Sequence, residues 1–189
     1  MQCAGCQEKN CRTGQNCGKH TFEQVQASYT EQDKKIILAA AQADGEPLTR
    51  LEESARFVQA MGCTNIGIAF CMGLGDEAQD ITAYFQKYFT VHSVCCKICG
   101  VGKQQFNPEH YKNRKAEIMC NPAIQAKMLN EVATEINFTV GLCVGHDMIF
   151  GLHSEAPVSA LAVKDRVLAH NPLGAVYSGF SRKRLGLPD

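Results

Sequence analysis

Three short apolar runs in this chain each end in cysteine: Ile66-Gly-Ile-Ala-Phe-Cys71, Thr90-Val-His-Ser-Val-Cys95 and Phe138-Thr-Val-Gly-Leu-Cys143, the second followed at once by Cys96. Short apolar runs bounded by turn residues suit strands buried on both faces. Helical patterns lie between them. Asp76 is placed to cap a helix carrying Ala78, Ile81 and Phe85, and Asn121-Pro122 opens another that runs to about Glu135. Val158-Ser-Ala-Leu-Ala-Val163 is a fourth run, and His170-Asn171-Pro172 repeats the Asn-Pro helix start. The 18 residues between the first two runs are enough for a right-handed crossover. The pattern predicts an α/β fold with a mainly parallel sheet of about four strands flanked by helices.

In a parallel sheet the C-terminal strand ends share one edge, and open α/β sheets bind their ligands there. Cys71, Cys95, Cys96 and Cys143 are therefore expected around one crevice. Cys120 joins them from just ahead of a helix start, where unpaired N–H groups and the helix dipole favour a thiolate. His146 and Asp147 follow Cys143 directly. His146 is a candidate proton donor at the crevice, against the plainer role of bonding a backbone carbonyl. Asp147 is read as a helix cap. Lys97 and Lys103 flank the second strand end. Gly100-Val-Gly102-Lys103 lacks the spacing of a phosphate-binding loop.

The N-terminus differs from the rest. Residues 1–20 hold Cys3, Cys6, Cys11 and Cys17 and almost no aliphatic side chain, so this stretch cannot build a core and needs a staple. From Phe22 a helical pattern through Val25, Tyr29, Ile36, Ile37 and Ala40 stops at Asp44-Gly45. A second helix follows Pro47, with Leu51, Ala55 and Val58 on one face and Gly62 as its stop. Two parts are expected: 1–20, a cysteine-rich metal-binding segment, and 21–189, the α/β domain with a second thiolate site at the sheet edge.

Eleven cysteines in 189 residues, an odd number, do not suit a disulfide scaffold, and no secretory signal or long apolar stretch is expected at either end. The chain is placed in the cytoplasm, where thiols stay reduced. A formal net charge of zero argues against a nucleic-acid partner. Several soft thiolates at one place select zinc, cuprous copper or iron–sulfur clusters. In the quartet only Cys3-x₂-Cys6 is a tight knuckle, and the wider spacing to Cys11 and Cys17 favours a cluster, expected to be [4Fe-4S], over a zinc knuckle. Zinc binding or metal delivery without catalysis, and a thiol–disulfide oxidoreductase using Cys96-Lys-Ile-Cys99, stand as alternatives.

The blocks around Cys71, Cys95-Cys96, Met119-Cys-Asn-Pro122, Gly141-Leu-Cys-Val-Gly-His-Asp147 and Val163-Lys-Asp-Arg-Val-Leu-Ala-His-Asn-Pro172 resemble a family of cysteine-rich, predicted metal-binding proteins of anaerobic bacteria and archaea. That resemblance spans nearly the whole chain and implies oxygen-sensitive iron–sulfur clusters rather than zinc. Cys63 and Cys99 lie outside those blocks and rank below the other nine thiols. The resulting expectation is an electron-relay cluster on the N-terminal quartet and a second cluster at the sheet edge. The second would do redox or sulfur chemistry on a small molecule, with a redox protein as partner.

Overall fold

The computed structural model describes residues 2–45, 47–112 and 115–188. Four strands, β1 (Asn65–Phe70), β2 (Thr90–Cys95), β3 (Ile136–Val140) and β4 (Val158–Ala162), form one fully parallel sheet in the order β2-β1-β3-β4. The helices before and between them are α1 (Phe22–Ala27), α2 (Glu31–Ala43), α3 (Arg50–Ala60), α4 (Gly75–Phe85), α5 (Lys103–Phe106), α6 (Pro108–Tyr111), α7 (Pro122–Glu131) and α8 (His146–His153). Two short helices, α9 (Gly174–Tyr177) and α10 (Gly179–Leu185), follow the last strand. The expected fold class holds.

Strand order carries the functional geometry. After β1 the chain crosses to β2 on one side, then returns past β1 to place β3 on the other side. The direction of winding thus reverses between β1 and β3, and such a switch point opens a crevice at the C-terminal strand ends.

The two faces of the sheet differ. One buries Ile66, Ile68, Ile136, Phe138 and Val140 against Ala39, Val58 and Phe85 from α2, α3 and α4. There the rings of Phe85 and Phe138 stack with centroids 5.4 Å apart. Cys63 belongs to this core, and burial pushes its thiol pKa up. The other face carries Ala69 and Val94 beneath Ala126, Leu129 and Phe150 of α7 and α8. Its close fit explains Gly67: a Cβ there would stand 2.0 Å from Asn137 Oδ1 and 2.7 Å from a Leu129 methyl. Cys71, Cys95, Cys96 and Cys120 border this second core at the C-terminal edge.

Several local expectations are corrected. The helix read from Phe22 to Asp44 is two helices, because Thr30 breaks it. The Thr30 hydroxyl accepts from Asp33 N–H at 3.2 Å, and Asp33 Oδ2 accepts from Thr30 N–H at 2.8 Å. That reciprocal cap starts a new helix more effectively than apolar periodicity continues the old one. Thr49 caps α3 in the same way, and Gly62 ends it at φ +70°. α4 begins at Gly75 with Leu74 as N-cap, so Asp76 lies inside the first turn, where its charge favours the helix dipole. Asn121 occupies the N-cap of α7 but commits its amide elsewhere, and α7 ends at Glu131 rather than near 135. α8 starts at His146, and Asp147 is its second residue, with Oδ1 accepting from Gly145 and Met148 N–H at 3.0 and 2.8 Å. His170-Asn171-Pro172 forms a turn, and α9 begins only at Gly174. β1 stops at Phe70 and β3 at Val140, so Cys71 and Cys143 stand beyond their strands on the connecting loops.

Candidate functional site: a thiol-lined cleft at the sheet edge

Loops from all four C-terminal strand ends, together with α5 and the start of α7, enclose a cleft of about 870 Å³. Cys71, Cys96, Cys120 and Cys143 line it, and so does His146.

Cys96 is at the centre of the thiols. As the residue after β2, it continues the side-chain alternation from Val94 onto the α7 face, and its N–H donates to Phe70 O at 2.9 Å. Its sulfur accepts from Met72 N–H at 3.3 Å and stands 3.7 Å from Cys120 Sγ. Asn121 N–H in turn donates to Cys96 O at 2.8 Å, and Asn121 Nδ2 donates to Ile98 O at 2.6 Å. The start of α7 is thereby tied to the loop after β2. Burial first, then the neighbouring sulfurs of Cys120 and Cys71, push the Cys96 pKa up to about 12 against the opposing Met72 N–H.

Cys71 is the opposite case. Burial alone would raise its pKa. The backbone N–H of Gly73, the Lys164 ammonium and the Cys96 thiol outweigh that and bring it below the ordinary thiol range. Lys164 reaches it from the loop after β4, which passes close because Gly141, at φ +61°, turns the chain after β3. A Cβ at Gly141 would lie 2.2 Å from a Leu74 methyl. Cys143 is held from the far side: Arg166 Nη2 donates to its sulfur at 3.4 Å. His146 N–H donates to Cys143 O at 2.8 Å, which seats the imidazole at the first position of α8 on the cleft wall.

The structure thus gathers Cys71, Cys96 and Cys120, sets Cys143 and His146 on the same cleft, and leaves Cys95 out. Cys95 borders the same core without lining the cleft, its sulfur 4.0 Å from Met72 Sδ and accepting from Lys97 N–H at 3.4 Å. The sulfur beside Cys96 belongs to Cys120 and not to Cys99, which is exposed in a left-handed turn at φ +69°. All eleven cysteines are free thiols. Among the described residues, no three His, Cys, Asp or Glu side chains are placed to hold a metal ion.

The N-terminal quartet has a different setting. Cys3, Cys6, Cys11 and Cys17 are all exposed; Cys3 and Cys11 lie on two single 3₁₀ turns, Cys3–Gly5 and Asn10–Thr13, Cys6 follows the first and Cys17 lies beyond the second. Cys6 Sγ accepts from Lys9 N–H at 3.4 Å, and Cys11 Sγ lies 3.8 Å from Lys9 O. No residue from 2 to 20 is buried.

Four contributors to the cleft were missed in the sequence. Lys164 and Arg166 lie in the Val163–Pro172 block, and their position directly after the fourth apolar run was the signal available. The Met72 N–H and Gln125 left no such trace. Gln125, fully buried on α7, donates Nε2 to Val94 O at 2.7 Å and to Phe70 O at 3.3 Å, holding the ends of β1 and β2 together beneath the thiols.

Fold and cleft define a parallel α/β protein with a thiol-rich site at its topological switch point. The chain matches, over residues 12–161, the family described as protein of unknown function (DUF1847), and it belongs to that family. It is also 42% identical to an uncharacterised protein of the archaeon Methanocaldococcus jannaschii, over 98% of each chain. No solved structure matches it. No helix among the described residues is long and apolar enough to cross a membrane.

Proposed function

We propose that this protein is a cytoplasmic iron–sulfur protein whose sheet-edge thiols hold one metal–sulfur centre and whose N-terminal quartet holds another. One observation carries the reading: Cys71, Cys96, Cys120 and Cys143, from four separate segments, open onto a single cleft. Soft thiolates in that number suit iron–sulfur ligation. They face a roomy cleft without closing on one point, and a multi-iron centre spaces its thiolates in that way because each sits on its own iron. The nearby Lys164 and Arg166 offset the negative charge that such a centre carries with its thiolates. When bound, the centre would supply one-electron transfer or an open iron position. Around it Cys96 and Cys120 would anchor, Gln125 would keep the strand ends in register, and His146 would stand at the wall as the candidate proton donor to a small-molecule substrate. The quartet, exposed and without a core, would be folded by its own metal and pass electrons from a redox partner.

A second reading has its own support. A metal–sulfur bond of about 2.3 Å in tetrahedral geometry puts two sulfurs about 3.8 Å apart, close to the 3.7 Å between Cys96 and Cys120. That spacing suits one zinc ion, and with it metal storage or delivery.

Purification without oxygen, followed by a visible spectrum and iron, sulfide and zinc analysis, separates the two. A brown protein that bleaches in air, and that loses about half its iron in Cys96→Ser but none in Cys95→Ser, is the expected result. Stoichiometric zinc with neither iron nor acid-labile sulfide would overturn the cluster reading in favour of the second.

A further inference from the structure

The cleft holds more positive charge than its own carboxylates answer. Among the described residues, Lys97, Lys103, Lys164 and Arg166 line it, against Glu117 alone. Glu117 pairs with Lys103 at 2.7 Å. Lys97 Nζ donates to the neutral Ile118 carbonyl. Lys164 and Arg166 meet sulfur, the one at Cys71 and the other at Cys143. Asp165, which lies between them in sequence, is turned away into its own loop, where Oδ1 accepts from Val167 and Leu168 N–H at 2.9 Å each. Around the cations the wall is apolar: Met72, Phe106, Met119, Ile124 and Ile149. About 870 Å³ with mostly apolar walls and a few convergent charges is the size and make-up of a site for an organic molecule, well beyond what a bare metal ion fills.

We infer that the cleft binds an organic anion, with its acid group at Lys164 and Arg166 and its apolar body against the Phe106–Ile149 wall. The guanidinium fork suits the two oxygens of a carboxylate or sulfonate, and the lysine adds a point charge beside it. Bound this way, the anion lies next to Cys71 and Cys143 and within the reach of His146. The substrate class is therefore an acidic small molecule with a hydrophobic portion, which is finer than the metal reading and does not depend on it.

The test uses two fluorescent probes on the protein as isolated: 8-anilinonaphthalene-1-sulfonate, anionic, and N-phenyl-1-naphthylamine, its uncharged relative. Each is titrated into the parent chain, Lys164→Gln and Arg166→Gln, after circular dichroism has checked that the variants fold. Loss of a charge-assisted bond should weaken the sulfonate about tenfold or more in each variant while changing the neutral probe less than about twofold. Leu152→Ser, at an exposed α8 residue that does not line the cleft, serves as the control for stray apolar binding and should leave the sulfonate affinity within about twofold. Equal losses for both probes, or sulfonate affinity insensitive to both substitutions, would overturn the anion site. Metal analysis of the same samples keeps the two readings apart. A parent isolated without oxygen that is metal-free yet still binds the sulfonate through Lys164 and Arg166 overturns the metal reading alone. A metal-loaded parent whose sulfonate binding ignores both residues overturns the anion site alone.

Discussion

The two groups of cysteines in this protein are built by opposite means. Cys3, Cys6, Cys11 and Cys17 lie within 15 residues of one another, on a stretch with no buried side chain. Their proximity is a property of the chain, and loop closure over so few residues costs little. Cys71, Cys96, Cys120 and Cys143 are separated by more than 20 residues at each step, and only the parallel sheet brings them to one cleft. On the proposed function, the first group would bind its metal before the fold exists and take its order from it, whereas the second would need the fold first and inherit its order from the core.

The largest expected effect follows from that dependence. Phe138, 1% exposed and stacked on Phe85, is a large side chain buried in the core of the sheet. Phe138→Ala should cost about 3–5 kcal/mol of stability, measured by urea denaturation. On the proposed function, the sheet-edge site should then lose its metal under conditions where the quartet keeps its own. If the variant lost both in parallel, the independence of the two groups would be broken.

Removing residues 1–20 probes the comparison from the other end. The truncated chain should keep its denaturation midpoint, with a stability change within about 0.5 kcal/mol because no buried contact is lost, and should lose about half of the metal measured by elemental analysis. A folded truncation without any metal would replace two centres with one shared between the groups.

The smallest effect sharpens the picture inside the cleft. In the reduced, metal-free protein Cys71 ionises below the ordinary thiol range and Cys96 only near 12. Since the thiolate is the nucleophile, iodoacetamide at pH 8 should modify Cys71 at least about tenfold faster than Cys96. Raising the pH through 9 and toward 12 should bring Cys96 up, as its proton leaves. Peptide mapping by mass spectrometry reads both rates. Equal rates at pH 8 would mean that Lys164 and the Gly73 N–H do not act on Cys71 as placed.

How much of this could be read beforehand varies by residue. Pro47 ahead of α3, Gly62 after it, and the apolar runs ending near residues 71, 95 and 143 are local signals, and each is found close to where the pattern put it. Thr30 carried the same kind of signal through Asp33 and was overridden by the apolar spacing around it. At the site, the convergence of Cys71 and Cys96 was legible from strand direction, because parallel strands end on one edge, and Cys120 was added from its place just ahead of a helix start.

The choice between Cys95 and Cys96 was not legible. Side chains alternate across a strand, and the face that points into the cleft depends on the register with β1, where Cys95 pairs with Phe70. Lys164 and Arg166 were equally hidden, because their role depends on β4 lying beside β3 and sending its loop back over Gly141. By itself the sequence determined a parallel α/β domain, an exposed cysteine quartet and a set of thiols along one sheet edge, since helix caps, strand runs and chain proximity act over a few residues. Only the tertiary structure decided which sulfurs meet, which cations stand beside them and which way each thiol is pushed, because those depend on distances between segments that are far apart in the chain.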